Sequence, residues 1–317
     1  MPAVTPTDQS VVASVPDAEG VTRPVAQVAT AVSSFEGAGF PVRRPFPGAL
    51  DLAHTDPFLM LDQMGPVVYA PGKALGAPDH PHRGFETVTY LIDGEMEHRD
   101  SYGGGGVLRG GDTQWMTAGA GLVHSEMPTE KMMREGGLLH GVQLWVNLPR
   151  ADKRAEPRYQ DLRGDGLALF RNESGAALVR VIAGDLAGVE GPGNTHTPIV
   201  LAHASLQPGA HLALEWPREF NALVYVLSGR GRVAGAGGSS VQSGQVVALG
   251  AGDVVEVDAE ASTDETLEVL LLGGRPIREP VFSYGPFVMN SKAEILDTLD
   301  EWENHPESFG RAVPTEH

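Results

Sequence analysis

The chain has 317 residues, with 23 Lys and Arg against 41 Asp and Glu, and a formal charge of −18 with His neutral. That balance repels phosphate backbones and anionic lipid, so direct nucleic-acid binding and electrostatic membrane docking are not expected. There is no cysteine, which excludes disulfides, thiolate nucleophiles and Cys-ligated metals or clusters, and leaves His, carboxylate, carbonyl and water as the available metal ligands.

Residues 1–33 are rich in Ala, Val, Pro, Ser and Thr with little periodicity, and are expected to form a flexible tail. No cationic segment leads into an apolar run there, and no stretch approaches the roughly 18 apolar residues of a membrane span, so a cytoplasmic protein is expected. From Ser34 onward, short apolar runs punctuated by Gly and Pro predict an all-β protein. The strand candidates are Thr87–Ile92, Gln114–Thr117, Leu139–Leu148, Ala177–Ile182, Ile199–Ala204, Leu212–Trp216, Leu223–Leu227, Gln245–Leu249, Val254–Val257 and Leu267–Leu272. Such density favours sandwiches or barrels. The charged, Pro-containing stretch Leu148–Gly164 is expected to link two halves. Near the end, Ser291-x-x-Glu294 has the form of a helix capping box, and Ile295, Leu296, Leu299 and Trp302 follow at helical spacing as one apolar stripe for packing on the β body.

A weak internal repeat supports two β domains. Tyr90-Leu-Ile-Asp-Gly94 matches Tyr225-Val-Leu-Ser-Gly229, and Gly110-Gly-Asp112 matches Ala251-Gly-Asp253.

The chemistry concentrates between Pro78 and Pro128. His80-Pro-His82 and His124-Ser-Glu126 each place two ligating side chains at i and i+2, on one face of an extended chain. Taken singly, each pair reads equally well as polar loop residues beside proline. If the two segments are neighbouring strands, three imidazoles and one carboxylate converge. That set suits one mononuclear divalent ion, Fe(II) first and then Mn, Ni, Cu or Zn, with positions left open for reactants and no organic cofactor.

With its glycine framework the window resembles the two-part motif of the cupin superfamily, and within it the pirin family. The resemblance is carried by Asp56-Pro-Phe-Leu59, His80-Pro-His-Arg-Gly-Phe-Glu-Thr-Val88, Gly111-Asp-x-Gln-Trp-Met-Thr-Ala-Gly119, His124-x-Glu-Met-Pro128, Gln143-Leu-Trp-Val-Asn-Leu-Pro149 and Gly285-Pro-Phe-Val-Met-Asn290. It implies two cupin-type β-sandwich barrels (double-stranded β-helices) in tandem: residues 34–155 with the metal, 156–288 without it, and a short helix and tail in 289–317. The family's ligands fall on His80, His82, His124 and Glu126. In the second half, Glu215, Pro217, Glu265 and Leu267 stand at the corresponding positions, so that barrel is expected to be a scaffold, with His203 and His211 structural.

Around the site, His98 is expected as an exposed loop residue, with a role in orienting a ligand or substrate as the alternative. Glu86 is expected to make a structural hydrogen bond. Phe85, Trp115 and Met116 are expected in the core or lining a pocket, and Arg43, Arg44 and Arg83 in ordinary ion pairs. The resemblance further implies a quercetin 2,3-dioxygenase-type reaction, in which O₂ opens the flavonol heterocycle with release of carbon monoxide and Glu126 serves as base. The alternative is a non-enzymatic, redox-sensing regulator that binds a transcription factor or metabolic enzyme. A metabolite-processing cupin such as an isomerase is a third reading.

Overall fold

A computed structural model describes residues 12–164, 166, 168–305 and 309. The strands fall where alternating or continuous apolar runs place them. Phe85–Asp93, Thr113–Thr117, Gly137–Asn147, Ala177–Ala183, Ile199–Leu206, Asn221–Ser228, Gln245–Leu249, Val254–Ala259 and Leu267–Gly274 contain or nearly coincide with the expected segments. Among the described residues, no helix is long and apolar enough to cross a membrane.

The chain forms two compact units that are interleaved in sequence. One takes residues up to 33, 43–62 and 162–276; the other takes 34–42, 63–161 and 277 onward. This division differs from the expected boundaries, 34–155 and 156–288, at 43–62, 156–161 and 277–288.

In the first of these units an eight-stranded sheet runs in the order Ala13–Val15, Ala168–Asn172, Ala177–Ala183, Ile199–Leu206, Leu267–Gly274, Asn221–Ser228, Gln245–Leu249 and Val25–Thr30. A four-stranded sheet holds His211–Glu215, Val254–Ala259, Arg230–Val233 and Ser239–Gln242. Alternate residues of both sheets share one core: Val200, Ala202, Val224, Val226, Val269 and Leu271 from the larger, Leu212, Leu214, Val255 and Val257 from the smaller, with Trp216 among them. The period-two pattern of these runs accounts for that placement. Gly273 is required by packing, because a Cβ there would lie 2.3 Å from the Trp216 ring.

Two features of the N-terminus depart from expectation. Residues 12–33 are not a loose tail: Ala13–Val15 pairs parallel with Ala168–Asn172, and Val25–Thr30 pairs antiparallel with Gln245–Leu249. Both strands complete exposed sheet edges, whose unpaired N–H and C=O groups recruit any chain of suitable β propensity. The rest of the expected tail, residues 1–11, lies outside the described residues.

In the other unit, Arg158–Leu162, Thr113–Thr117, Phe85–Asp93 and Gly137–Asn147 are consecutive neighbours of a seven-stranded sheet. A four-stranded sheet runs Ala77–His82, Leu122–Pro128, Glu95–Asp100, Gly105–Arg109. The segment expected as a linker is thus partly a sheet strand. It also contributes Lys153, whose buried ammonium donates to the Gly84 carbonyl at 2.7 Å and to Asn147 Oδ1; burial lowers its pKa to about 7.

The C-terminal helix, Lys292–Asn304, starts where the capping residues place it, with Ser291 Oγ accepting from the Glu294 amide at 3.3 Å. Its buried side differs from the expected stripe. Ile295 is buried, and Leu299 and Trp302 pack beside it against Phe287, Met289 and Phe309, whereas Leu296 is 55% exposed.

Replacing Gly273 by Ala drives a methyl into the Trp216 ring. Overpacking of this kind costs about 1–3 kcal/mol, so G273A should lower the urea midpoint with an unchanged m-value in chemical unfolding.

Candidate metal centre

The two His motifs meet because their strands pair. Ala77–His82 and Leu122–Pro128 run antiparallel, with His124 opposite His80 and Leu122 opposite His82. A shift in register between His124 and Glu126 interrupts the ladder at the site. Across the next strand, His124 faces Asp100 and Glu126 faces His98.

His80, His82 and His124 bring one ring nitrogen each to within 4.8 Å of one another. Their ring centroids lie 4.4 Å (His80–His124), 4.8 Å (His80–His82) and 5.0 Å (His82–His124) apart. His82 and His124 are buried and His80 is partly exposed. The rings are individually oriented. Nδ1 of His80 donates to the Pro78 carbonyl at 2.7 Å; a carbonyl only accepts, so the neutral ring carries its proton on Nδ1 and presents Nε2 as a lone pair. The Pro286 backbone is a hydrogen-bond partner of the His82 ring, while its Nδ1 is buried with no partner. Both nitrogens of His124 are buried without a partner.

Such orphaned nitrogens are costly unless something ligates them. Desolvation, followed by the neighbouring imidazoles, pushes the His82 pKa well below its ordinary value. For His124, desolvation outweighs the attraction of Glu126 and brings the pKa down to about 4. His82 and His124 are therefore uncharged at neutral pH, the form a metal ion requires. The donor set and the orphaned nitrogens fit a borderline divalent ion.

Glu126 is buried on the same strand but stands outside the set of three. The Thr89 hydroxyl donates to its Oε1 at 2.7 Å and Gln143 Nε2 donates to its Oε2 at 2.8 Å. Each carboxylate oxygen has two lone pairs, so one hydrogen bond apiece leaves capacity to ligate or to take a proton. Thr89 and Gln143 sit opposite each other on paired strands. Neither is among the expected site residues; the signal was present as polar side chains interrupting apolar runs on a shared face.

Glu86 is fully buried and accepts from the Thr117 hydroxyl at 2.7 Å, a cross-strand bond between paired residues. His98 is a correction. It is buried within Glu95–Asp100, not exposed in a loop, and stacks on Tyr159 with 5.8 Å between centroids. The strand Arg158–Leu162 brings Tyr159 in to cover it, a placement that local polarity around His98 did not reveal. The Phe85 and Trp145 rings lie 5.2 and 5.3 Å from that of His82 and wall one side of the centre. Trp115 and Met116 are fully buried, the latter in a core cluster with Ala118 and Leu122.

In the other unit no comparable cluster forms among the described residues. His203 is buried with Nε2 3.0 Å from Glu268, while His211 is exposed at a strand edge and bonds Asp258 at 2.6 Å, so its surroundings are less apolar than expected.

The sequence and fold match known proteins along most of their length. Residues 39–146 match the family model described as Pirin, and residues 201–309 that described as Pirin C-terminal cupin domain. A Pseudomonas aeruginosa protein provisionally named quercetin 2,3-dioxygenase is 43% identical over 269 residues, 84% of this chain and 92% of that protein. Human pirin is 37% identical over 279 residues, 87% and 91% of the respective chains. A solved Acinetobacter baumannii structure titled quercetin 2,3-dioxygenase superposes with a TM-score of 0.84 at 34% identity, covering 92% of this chain and all of that one.

The lowered His124 pKa has a signed consequence. The unfolded chain takes up the proton near 6.5 and the folded one only near 4, so between those values the unfolded state binds more protons and stability rises with pH. Metal-free protein should therefore lose on the order of 3 kcal/mol from this group as pH falls from 7 to 4. Denaturant unfolding across that range should show a steeper dependence in the wild type than in a His124→Asn variant.

Proposed function

The chain belongs to the pirin family, and on that premise we propose that it is a metal-dependent dioxygenase of the quercetin 2,3-dioxygenase type, with a flavonol or similar enolisable aromatic and O₂ as substrates. The observation that carries this reading is the grouping of His80 with the orphaned ring nitrogens of His82 and His124, beside a hydrogen-bonded carboxylate. His80, His82 and His124 hold the ion, Fe(II) in the first instance, with Glu126 as the fourth ligand and as the base. The relatives named for quercetin 2,3-dioxygenase activity support the choice of substrate class.

A bound divalent ion supplies Lewis acidity toward the flavonol oxygens and a one-electron path toward O₂. The protein's own part is orientation and proton handling. Glu126 takes the flavonol hydroxyl proton on a carboxylate oxygen, and Thr89 and Gln143 hold that carboxylate at fixed aim. The buried Phe85 ring and the partly exposed Trp145 ring against it give an apolar wall that favours a planar aromatic and limits water. His80, held by the Pro78 carbonyl, cannot rotate to offer its protonated nitrogen without losing that bond.

Reconstitution with Fe(II), then Mn, Ni, Cu or Zn, followed by O₂ uptake and flavonol loss, tests the reading. Turnover with one ion per chain is expected. Glu126→Gln should lower kcat by about 10²–10⁴-fold, the usual contribution of a positioned base, and His82→Ala should abolish metal uptake. Absence of flavonol loss with every one of these ions in metal-loaded protein would overturn the catalytic reading in favour of redox sensing.

A further inference from the structure

Arg83 directly follows a proposed metal ligand, and its side chain is 1% exposed. A buried guanidinium is expensive unless its donors are satisfied, and here the turn at Ala120 and the C-terminal helix supply three accepting groups. Nε donates to the Ala120 carbonyl at 2.6 Å. Nη1 and Nη2 donate to the two carboxylate oxygens of Glu301 at 2.8 and 2.9 Å, a bidentate pair. Nη1 also lies 3.4 Å from the Thr298 hydroxyl, and the guanidinium carbon sits 4.3 Å from the centre of the Phe309 ring. The ion pair expected from the sequence is present, but it is buried at the arginine end and has these further partners.

The geometry ties the C-terminal segment to both ligand-bearing strands. The Arg83 amide donates to the Pro286 carbonyl at 3.3 Å, and the Arg83 carbonyl accepts from the Val288 amide at 3.0 Å. Pro286 is also the backbone partner of the His82 ring. Gly84 permits this approach: it has φ +87°, and a Cβ there would stand 2.0 Å from the Val288 carbonyl oxygen. On the other side, Ala120 lies in the turn that leads into Leu122–Pro128, the strand carrying His124. Thus one side chain joins the residue after His82, the turn before His124, and the helix Lys292–Asn304.

We propose that Arg83 and Glu301 form a positioning latch through which the C-terminal helix holds His82 and His124 in their ligating orientation and so sets how fast the metal ion leaves. The proposal rests on the reading of the three histidines as metal ligands. Neither latch residue touches the ion or substrate; both act by fixing the backbone on which two of the ligands ride. The fit is that of outer groups that orient metal ligands, whose removal typically costs about 10–100-fold in affinity.

The test uses the full chain loaded with Co(II), following its release to a chelator and its visible spectrum. Glu301→Gln keeps the shape but removes the charge that compensates the buried guanidinium, so it should lower the thermal midpoint of the metal-free protein and also release Co(II) about tenfold faster with a shifted spectrum, a change in ligand geometry that lost stability alone does not produce. Arg83→Met should release it faster still. Leu296→Ala, on the exposed side of the same helix, should match the wild type. Should Arg83→Met fail to fold, Glu301→Gln decides alone. Wild-type release and spectrum in Glu301→Gln, with His82→Ala unable to bind Co(II), would overturn the latch and leave the metal site intact. Normal Co(II) binding by His82→Ala would overturn the site reading itself, and the latch with it.

Discussion

Pairing of the strands Ala77–His82 and Leu122–Pro128 places His124 directly opposite His80 and within ring contact of His82. A slip of one residue would turn every ligand to the other face, because the side-chain period of a strand is two. The register therefore has to be fixed by something other than the histidines, which gain nothing from facing each other without an ion. Each orphaned, buried nitrogen costs about 1–3 kcal/mol in the metal-free chain. Burial first, and the neighbouring imidazoles after it, disfavour protonation of His82 and His124, whose pKa values are depressed. The site is a place where the fold holds an unfavourable arrangement in readiness for a ligand that removes the cost.

The surroundings show how that arrangement is enforced. Lys153 donates to the carbonyl of Gly84, two residues after His82. Arg83 reaches the turn before His124 and the C-terminal helix. Asp100, opposite His124, uses one carboxylate oxygen to accept from the amides of Tyr102 and Gly104, which closes the glycine-rich turn beside the site. These are polar anchors on backbone, and backbone hydrogen bonds are directional in a way apolar packing is not. They suit a centre that must keep ligand orientation to a fraction of an ångström.

Much of this was legible in the sequence, for reasons that differ by element. Strands such as Gln245–Leu249 and Leu267–Gly274 are continuous apolar runs with turn residues at their ends, and local pattern suffices for them. The two His motifs were legible because their i, i+2 spacing and the glycine framework are local too. The strands Ala13–Val15 and Val25–Thr30 were not, since they exist only by pairing with edges more than a hundred residues away. His98 was misread for the same reason: its burial comes from Tyr159, on a strand that looked like a linker. The ion pair expected for Arg83 forms, but its partner, 218 residues further on, and its burial were not legible locally. Non-local contacts were missed, and local periodicity was read correctly in the strands but not at Leu296 of the C-terminal helix, which is exposed.

The two barrels differ in what fills their interiors. In the unit with the histidines, buried positions on Phe85–Asp93, Thr113–Thr117 and Gly137–Asn147 include Glu86, Thr87, Thr89, Gln114 and Thr117, with Gln143 close by. In the other unit the equivalent interior is an unbroken cluster of Val, Leu, Ala, Phe and Trp side chains. A polar interior can hold and aim a carboxylate, but it gives up the roughly 25 cal/mol per Å² that buried apolar surface contributes. An apolar interior gains that term and has nothing with which to bind an ion. The half without a comparable His cluster among the described residues is thus the one with the filled apolar core. The polar side chains left in the first barrel are those that a metal centre with a positioned base would require.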